Sequence, residues 1–207
     1  MTAVPGVRRL GHGGAAATVN FGGVVGLDIS LTATGFASTH PGNPRVWTEL
    51  IESKGSRTDT WDDRWKRLNH LVAQIISLIP EDDYPLIITE APAYSSTTGS
   101  AMDRHGLWWL TYDALTSEGY WIVPVPPNTL KKYVTGTGNA HKDAVLAATV
   151  RQFPDLDIND NNIADAVGLA RIGCRLLGAP IDDPHPALRV SALDRLALPE
   201  GFADAVA

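Results

Sequence analysis

The sequence lacks the features that define several large classes of protein. Its 207 residues contain a single cysteine, Cys174, which has no partner for a disulfide and favours a protein of the reducing cytoplasm. No apolar run reaches the roughly 18 residues that a membrane-spanning helix needs. We therefore expect no contact with a membrane. The phosphate loop GxxxxGK[ST] is absent and VVGLDI lacks the glycine spacing of a dinucleotide site, so we also expect no nucleotide cofactor.

Positive charge is also scarce, because 17 Lys and Arg residues face 23 Asp and Glu residues and leave a net charge of −6. This balance argues against a simple nucleic-acid binder, which usually carries an excess of basic residues. Carboxylates that gather around a divalent cation would explain the acidity, as would dispersed surface charge. The basic residues also cluster locally, at Arg64, Lys66 and Arg67 and at Lys131, Lys132 and Lys142.

The remaining composition favours one compact α/β domain, since 44% of the residues are hydrophobic and 19% are charged. We expect residues 1–20 to form a flexible N-terminal arm and residues 21–178 to form the domain. Residues 179–207, which are rich in Pro and Asp, are expected to be a loosely attached C-terminal tail.

Hydrophobic periodicity predicts an alternation of strands and helices. Strands are expected at 22–29, 34–39, 46–51, 85–92 and 120–125, with the first three as an antiparallel meander. Helices are expected at 61–79, 100–118, 128–134, 141–153 and 162–177. The inner face of the first helix is predicted to contain Trp61, Trp65, Leu68, Val72, Ile75 and Ile79, and that of the second Leu107, Leu110, Ala114 and Leu115.

Three acidic residues occupy positions where burial is expected. Asp28 and Glu90 each end a core strand, and Asp165 lies in an otherwise apolar helix. Taken one at a time, each acid has an ordinary explanation that is about as good. Asp28 is compatible with a turn cap, Glu90 with a lysine ion pair, and Asp165 with a hydrogen-bonded helix residue. Together they favour a cation, because a buried anion without a partner is costly. Oxygen ligands without paired Cys or closely spaced His indicate Mg²⁺ rather than Zn²⁺, and two such ions would support phosphodiester hydrolysis.

The same residues belong to segments that resemble a known family. VVGLDISLTATGFAS, IITEAP, LKKYVTGTGNAHKDAV and NNIADAVGLA resemble, in order and spacing, the motifs of the RuvC family of Holliday junction resolvases. The resemblance covers about residues 24–177. It implies a ribonuclease H-like fold with a mixed five-stranded sheet flanked by helices. It also implies a homodimer that makes paired symmetrical nicks in four-way DNA junctions with Mg²⁺, for which Mn²⁺ would substitute. The N-terminal arm looks more like phage-encoded members.

Site residues follow from this resemblance. It implies that Asp28, Glu90 and Asp165 are metal ligands and that Lys142 holds the scissile phosphate. The position three residues before the final acid is usually Asp or His in the family, and here it is Asn162. Asn162 lies on the same helix face as Asp165, so its amide oxygen is a possible ligand. Asp160 is the other candidate, either as a metal ligand or as a helix cap.

DNA contacts are expected from four further residues. Lys131 and Lys132 would contact the phosphate backbone, and Arg104 is a weaker candidate of the same kind. Tyr94 lies where the resemblance implies an aromatic wedge that stacks on an unpaired base. Exposed or buried side chains without a DNA role explain each of these four residues nearly as well.

Three other functions remain open at this stage. GLDISLTATGFA also resembles the first phosphate-binding hairpin of actin-like kinases and ATPases, although the chain lacks their second glycine-rich loop. A broader branched-DNA or RNA–DNA hybrid nuclease would share the fold and metal chemistry. Asn162 raises the alternative of a catalytically inactive junction-binding protein.

Overall fold

A computed structural model describes residues 19–80, 84–92 and 100–206, and in these ranges the chain forms a mixed sheet flanked by helices. The strands are β1 (Val24–Asp28), β2 (Ala33–Thr39), β3 (Val46–Glu52), β4 (Leu86–Glu90) and β5 (Ile122–Val125). The helices are α1 (Trp61–Ser77), α2 (Ala101–Ser117), α3 (Pro127–Thr135), α4 (Lys142–Gln152), α5 (Asn161–Leu176), α6 (Ala187–Val190) and α7 (Phe202–Ala205). Every strand and helix expected from the sequence is present.

The sheet has the strand order β3-β2-β1-β4-β5. Strands β1, β2 and β3 form the predicted antiparallel meander, and β4 and β5 continue the sheet parallel to β1. The turn between β1 and β2 is closed by Thr34, whose hydroxyl donates to the Ser30 carbonyl at 2.7 Å and accepts from the Ser30 N–H at 3.0 Å. The expected mixed five-stranded sheet is therefore confirmed.

Each face of the sheet is covered by its own group of helices. Alternate residues of a strand point to opposite faces, so Val25 and Leu27 pack in the cluster with α1 and α2. Val24 and Ile88 pack in the other cluster with α3, α4 and α5. Residues 163–174 of α5 are all buried, which makes this helix the centre of the second layer.

Helix α1 begins where the sequence predicts, because Thr60 and Asp63 form a capping box at its N-terminus. Its predicted inner face is partly wrong. Trp61 and Trp65 are 70% and 59% exposed, and the fully buried residues are Leu71 and Ile75. Periodicity marks which residues share a face, but it does not show whether the outer part of that face meets the core.

The face of α2 also differs from the expectation. Leu107 and Leu115 are buried as predicted, whereas Leu110 is 37% exposed. Trp108 is buried instead, and its indole N–H finds a backbone acceptor. The neighbouring Trp109 is 61% exposed, so α2 presents a large aromatic side chain outward.

The segment after α5 is packed against the domain, contrary to the expected loosely attached tail. Asp182 is 1% exposed and forms ion pairs with Arg171 and Arg175 of α5. Phe202 of α7 is also buried, and its ring lies tilted against that of Phe21 with the ring centres 6.2 Å apart. Pro and Asp in this segment therefore form turns and ion pairs rather than a loose tail.

The expected N-terminal arm lies outside the described residues, apart from its last two positions. Val19 donates its N–H to the Ala205 carbonyl at 3.1 Å, which joins the start of the described chain to α7. Among the helices of the described ranges, none is long and apolar enough to cross a membrane.

Candidate active site

Two of the predicted acids end neighbouring parallel strands. Leu27 of β1 is level with Thr89 of β4, so the next residues, Asp28 and Glu90, emerge side by side at the carboxyl edge of the sheet. Because side chains alternate between the two faces of a sheet along each strand, the side chains of Asp28 and Glu90 lie on the same face. Val24 and Ile88 share that face and pack in the layer of α5. Asp28 and Glu90 therefore point toward α5.

The third acid reaches this edge because α5 lies unusually close to the sheet. A Cβ atom on Gly26 would lie 2.1 Å from the Ala166 carbonyl oxygen, and one on Gly35 would lie 2.0 Å from the Asn162 carbonyl oxygen. Gly35 is also the partner of Asp28 across the β1–β2 pair. The two glycines thus let the first turns of α5, which carry Asp165, rest directly on the strands beside Asp28.

Burial and mutual repulsion act on the three carboxylates together. Asp28 and Asp165 are 9% and 6% exposed. Burial, followed by repulsion from Glu90 and Asp165, holds the pKa of Asp28 well above its usual value. Burial and repulsion from Asp165 raise the pKa of Glu90 to about 7, and burial raises the pKa of Asp165 to about 6. The three groups therefore share one electrostatic environment.

Two lysines oppose this repulsion. Lys142, at the start of α4, lowers the pKa of all three acids, and Lys131 of α3 lowers that of Glu90 and Asp165. The Lys142 side chain is exposed, so its ammonium remains available to an anionic ligand. The structure thus places Lys142 in the electrostatic field of all three acids and Lys131 in that of Glu90 and Asp165.

The carboxylates do not form a ready-made coordination sphere. Within the described ranges, no three His, Cys, Asp or Glu side chains are grouped closely enough to hold a metal ion as they stand. Their shared field nevertheless fits a divalent cation, because carboxylate oxygens are the ligands that such ions prefer and a cation relieves the repulsion.

The two alternative ligands at the start of α5 differ in their contacts. Asp160 caps the helix, since its Oδ1 accepts the Asn162 N–H at 2.7 Å. Its charge still raises the pKa of Asp28 and Asp165. Asn162 lies one turn before Asp165 and is half-buried, with its backbone against Gly35. Asp160 is therefore engaged as a cap while its charge still acts on two of the acids, and both residues stay candidates for a further ligand.

The remaining predicted DNA contacts are less closely tied to this site. Lys132 and Arg104 are not among the groups that shift the pKa values of the three acids. Arg104 donates to the Ser100 hydroxyl at 2.7 Å in the first turn of α2. Tyr94, the expected wedge, lies outside the described residues.

Sequence reasoning missed the groups that position the acids. Trp108 donates its indole N–H to the Glu90 carbonyl at 2.9 Å and so fixes the end of β4 against α2. Nothing in the sequence distinguishes this tryptophan from the exposed Trp109. Gly26 and Gly35 carried a usable signal, because a glycine inside a strand often marks the close approach of another backbone.

Comparison with known proteins gives a consistent result. No protein-family model matches the chain. The chain is 26% identical over 157 residues to the crossover junction endodeoxyribonuclease RuvC of Synechococcus sp. (strain CC9311), covering 72% of this chain and 96% of that protein. It is 29% identical over 146 residues to the RuvC of Synechococcus sp. (strain WH7803), covering 64% and 93%.

Solved structures agree with these sequence relatives. Thermus thermophilus RuvC superimposes with a TM-score of 0.57 at 18% identity, covering 76% of this chain and 98% of that chain. The same protein in complex with a Holliday junction substrate superimposes with a TM-score of 0.59 at 16% identity, covering 76% and 97%. The expected architecture is confirmed, and the chain is RuvC-like in sequence and in its ribonuclease H-like fold.

Proposed function

We propose that this protein is a Holliday junction resolvase, a metal-dependent endonuclease that hydrolyses phosphodiesters in four-way DNA junctions. One observation carries the proposal: Asp28, Glu90 and Asp165 come from β1, β4 and α5, yet they share one electrostatic field with Lys131 and Lys142. Carboxylates beside cations are what a phosphodiester site needs, namely anionic ligands for a metal and positive groups for the phosphate. The names of the sequence relatives agree with this assignment.

Each residue has a distinct part in this mechanism. Asp28, Glu90 and Asp165 would hold the metal, with the Asn162 amide oxygen or the Asp160 carboxylate as a further ligand. Lys142 would hold the scissile phosphate and stabilise the charge that develops on it. Lys131, and more weakly Lys132 and Arg104, would contact the phosphate backbone of the arms.

We further propose that the cofactor is Mg²⁺, replaceable by Mn²⁺, with two ions in each site. When bound, Mg²⁺ supplies an activated water for attack and stabilises the leaving oxygen, so no covalent intermediate is needed. The protein contributes the anionic ligands and keeps their backbone fixed through Gly26, Gly35 and the Trp108 hydrogen bond.

Branched DNA and a second copy of the chain are the proposed partners. Helices α1 and α2 carry an outward apolar surface, here called the tryptophan face, formed by Trp61, Trp65, Met102 and Trp109, each at least 59% exposed. The ion pair of Arg64 with Asp103, with Nε 2.9 Å from Oδ2, places the two helices side by side. A two-fold dimer through this face would present two sites, as paired nicks on opposing strands require.

The test is cleavage of labelled four-way, three-way, flap, duplex and RNA–DNA hybrid substrates with Mg²⁺ or Mn²⁺, with cuts mapped on both strands. We expect paired symmetrical nicks in the four-way junction. Asp28→Asn and Glu90→Gln should abolish cleavage and leave junction binding within a few-fold of wild type. The exposed residues Asp194 and Glu200 provide matched controls, because Asp194→Asn and Glu200→Gln remove the same charges elsewhere.

Other outcomes identify the alternatives. Scattered cuts on several branched substrates would indicate a broader branch nuclease, and preferential cutting of the hybrid would indicate a ribonuclease of the same fold. Asn162 supports one further candidate, a junction-binding protein without catalysis. Tight junction binding without product in either metal would favour that candidate and contradict the resolvase proposal.

A further inference from the structure

A second group of cations lies on the α3–α4–α5 side of the domain, in a cleft of about 470 Å³. Three arginines line it: Arg151 of α4, Arg171 of α5 and Arg189 of α6. We call it the arginine cleft. None of the described residues that line it is acidic. The protein as a whole carries a net charge of −6, whereas the charged residues that line this cleft are all basic.

Arg171 is the informative residue because it is buried and incompletely bonded. Its side chain is 2% exposed, and its guanidinium carbon lies 5.6 Å from the ring centre of Tyr133 and 5.8 Å from that of Phe153. Its Nε donates to Asp182 at 3.0 Å. Its Nη1 is buried and has no hydrogen-bond partner among the described residues. Buried donors are rarely left in this state, so this nitrogen indicates a missing acceptor.

The surrounding network fixes Arg171 without consuming its remaining donor. Arg175 donates to Asp182 Oδ1 at 2.7 Å and to Tyr133 Oη at 2.8 Å, which holds the Asp182 carboxylate on the Nε side of Arg171. Arg189 donates to the Val134 carbonyl at 2.9 Å and also lines the cleft. Arg151 is exposed at the rim. The cleft therefore combines a buried inner guanidinium, held by the Asp182 network, with an exposed outer one.

We infer that the arginine cleft binds a phosphate group of the DNA backbone away from the scissile phosphate. Planar guanidinium groups match phosphate oxygens through paired N–H donors, which makes an oxyanion the fitting ligand. This inference rests on the proposed function only in that DNA supplies the phosphate. Free inorganic phosphate has the same chemistry and is separated from DNA by the experiment below.

Position favours DNA as the source. Two residues that line the cleft are near the lysines in the chain. Thr135 donates its hydroxyl to the carbonyl of Lys131 one turn earlier, and Ala144 follows Lys142 by two residues. Both lysines are the cations beside the three acids. Arg151 lies nine residues further along α4 than Lys142, which corresponds to roughly 13 Å of helix. Nine residues are about two and a half helical turns, so Arg151 lies on the opposite side of α4 from Lys142, and a DNA arm that crosses this helix would meet both cations.

The test measures the affinity of a fluorescently labelled four-way junction by anisotropy at a series of salt concentrations in EDTA. Arg171→Ala is unsuitable alone, because it would remove one of the two arginines that form ion pairs with the buried Asp182 and would disturb the fold. Arg151→Gln removes the exposed cation and should weaken binding several-fold. The slope of log K against log salt should fall in magnitude by about 0.9, the value for one lost phosphate contact. Arg151→Lys should keep the wild-type slope.

Arg57→Gln is the matched control, since Arg57 is exposed in the loop between β3 and α1. It should leave the slope unchanged. An Arg151→Gln slope equal to wild type would overturn the inference even if the protein cuts junctions as proposed. A changed slope in a protein that cuts no substrate would uphold the inference and refute only the proposed function.

Inorganic phosphate tests the competing source. The melting temperatures of the wild type and of Arg151→Gln are measured in phosphate and in a chloride control of equal ionic strength. A larger rise of the wild-type melting temperature in phosphate, together with equal salt slopes of DNA binding in the two proteins, would show that the cleft binds free phosphate. The DNA assignment would then be wrong. An equal rise of the melting temperature in both proteins, together with different salt slopes of DNA binding, would support DNA as the source of the phosphate.

Discussion

At the scale of one residue, Glu90 shows how a buried carboxylate in the candidate site lowers the stability of the folded protein. Its carboxylate is held near Asp28 and Asp165, and burial together with repulsion from Asp165 raises its pKa to about 7. The folded state therefore keeps a proton at pH values where the unfolded chain has released it, since the ordinary pKa of a glutamate is 4.5. A divalent cation would occupy the place of that proton at neutral pH, because it relieves the same repulsion.

We expect the metal-free protein to lose stability as pH rises. The Glu90 contribution is fully present below the unfolded pKa of 4.5 and is lost as pH passes the folded pKa of about 7. Glu90→Gln should remove this loss and stabilise the protein at pH 8 by on the order of 1–3 kcal/mol, with little effect at pH 4. Urea unfolding in EDTA at both pH values measures it.

Two additions separate this electrostatic effect from a packing effect. Mg²⁺ at pH 8 should raise the melting temperature of the wild type more than that of Glu90→Gln, since binding to the folded state stabilises it. Glu200→Gln, which alters an exposed residue, should behave as the wild type does. A stability difference between wild type and Glu90→Gln that does not change with pH would refute the argument.

At the scale of elements, the contact of α5 with the sheet determines where Asp165 lies. Gly35 allows this contact, because any Cβ at that position would overlap the Asn162 carbonyl. Gly35→Ala should therefore move the start of α5 outward, destabilise the fold by about 1–3 kcal/mol and reduce cleavage. Thermal unfolding and the initial rate of junction cleavage check the two effects.

Gly106→Ala is the matched control, because the nearest atom to a Cβ there is Leu68 Cδ1 at 3.6 Å. Gly106 lies inside α2, so this change should be neutral or stabilising by about 0.5–1 kcal/mol. Wild-type cleavage and stability in Gly35→Ala would mean that α5 does not depend on the close approach.

The same elements show how much the sequence predicts and where it stops. The order of strands and helices was predicted because periodicity is a local signal, and so were the positions of Asp28 and Glu90 at strand ends and of Asp165 in a helix. The outward position of Trp61 and Trp65 was not, since a tryptophan has the same hydrophobicity in a core and in an exposed face. The packing of Asp182 against Arg171 and Arg175 was also missed, because pairing across the fold leaves no mark in local composition.

At the scale of the whole molecule, the segment after α5 contributes to stability through Asp182. Asp182→Ala would leave the buried Arg171 without its counter-ion, so we expect a loss of about 3–5 kcal/mol. Asp183→Ala is the matched control, because the Asp183 side chain is 55% exposed and should contribute about 0–1 kcal/mol. Equal urea midpoints for the two variants would show that the buried pair does not hold this segment in place.

Assembly into a two-fold dimer through the tryptophan face is the other property proposed for the whole molecule. Tryptophans are frequent hot spots of interfaces, and a stable dimer buries roughly 1,200–2,000 Å² in total. Replacing Trp65 and Trp109 together by Ala should therefore convert a dimer to a monomer in sedimentation equilibrium. Leu188→Ala, which removes a 68% exposed side chain of α6, should stay dimeric. In the monomeric variant, paired nicks should give way to single nicks, because one junction would meet one site at a time. A wild type that sediments as a monomer at all concentrations, or a double variant that still makes paired nicks, would contradict the proposed two-fold assembly.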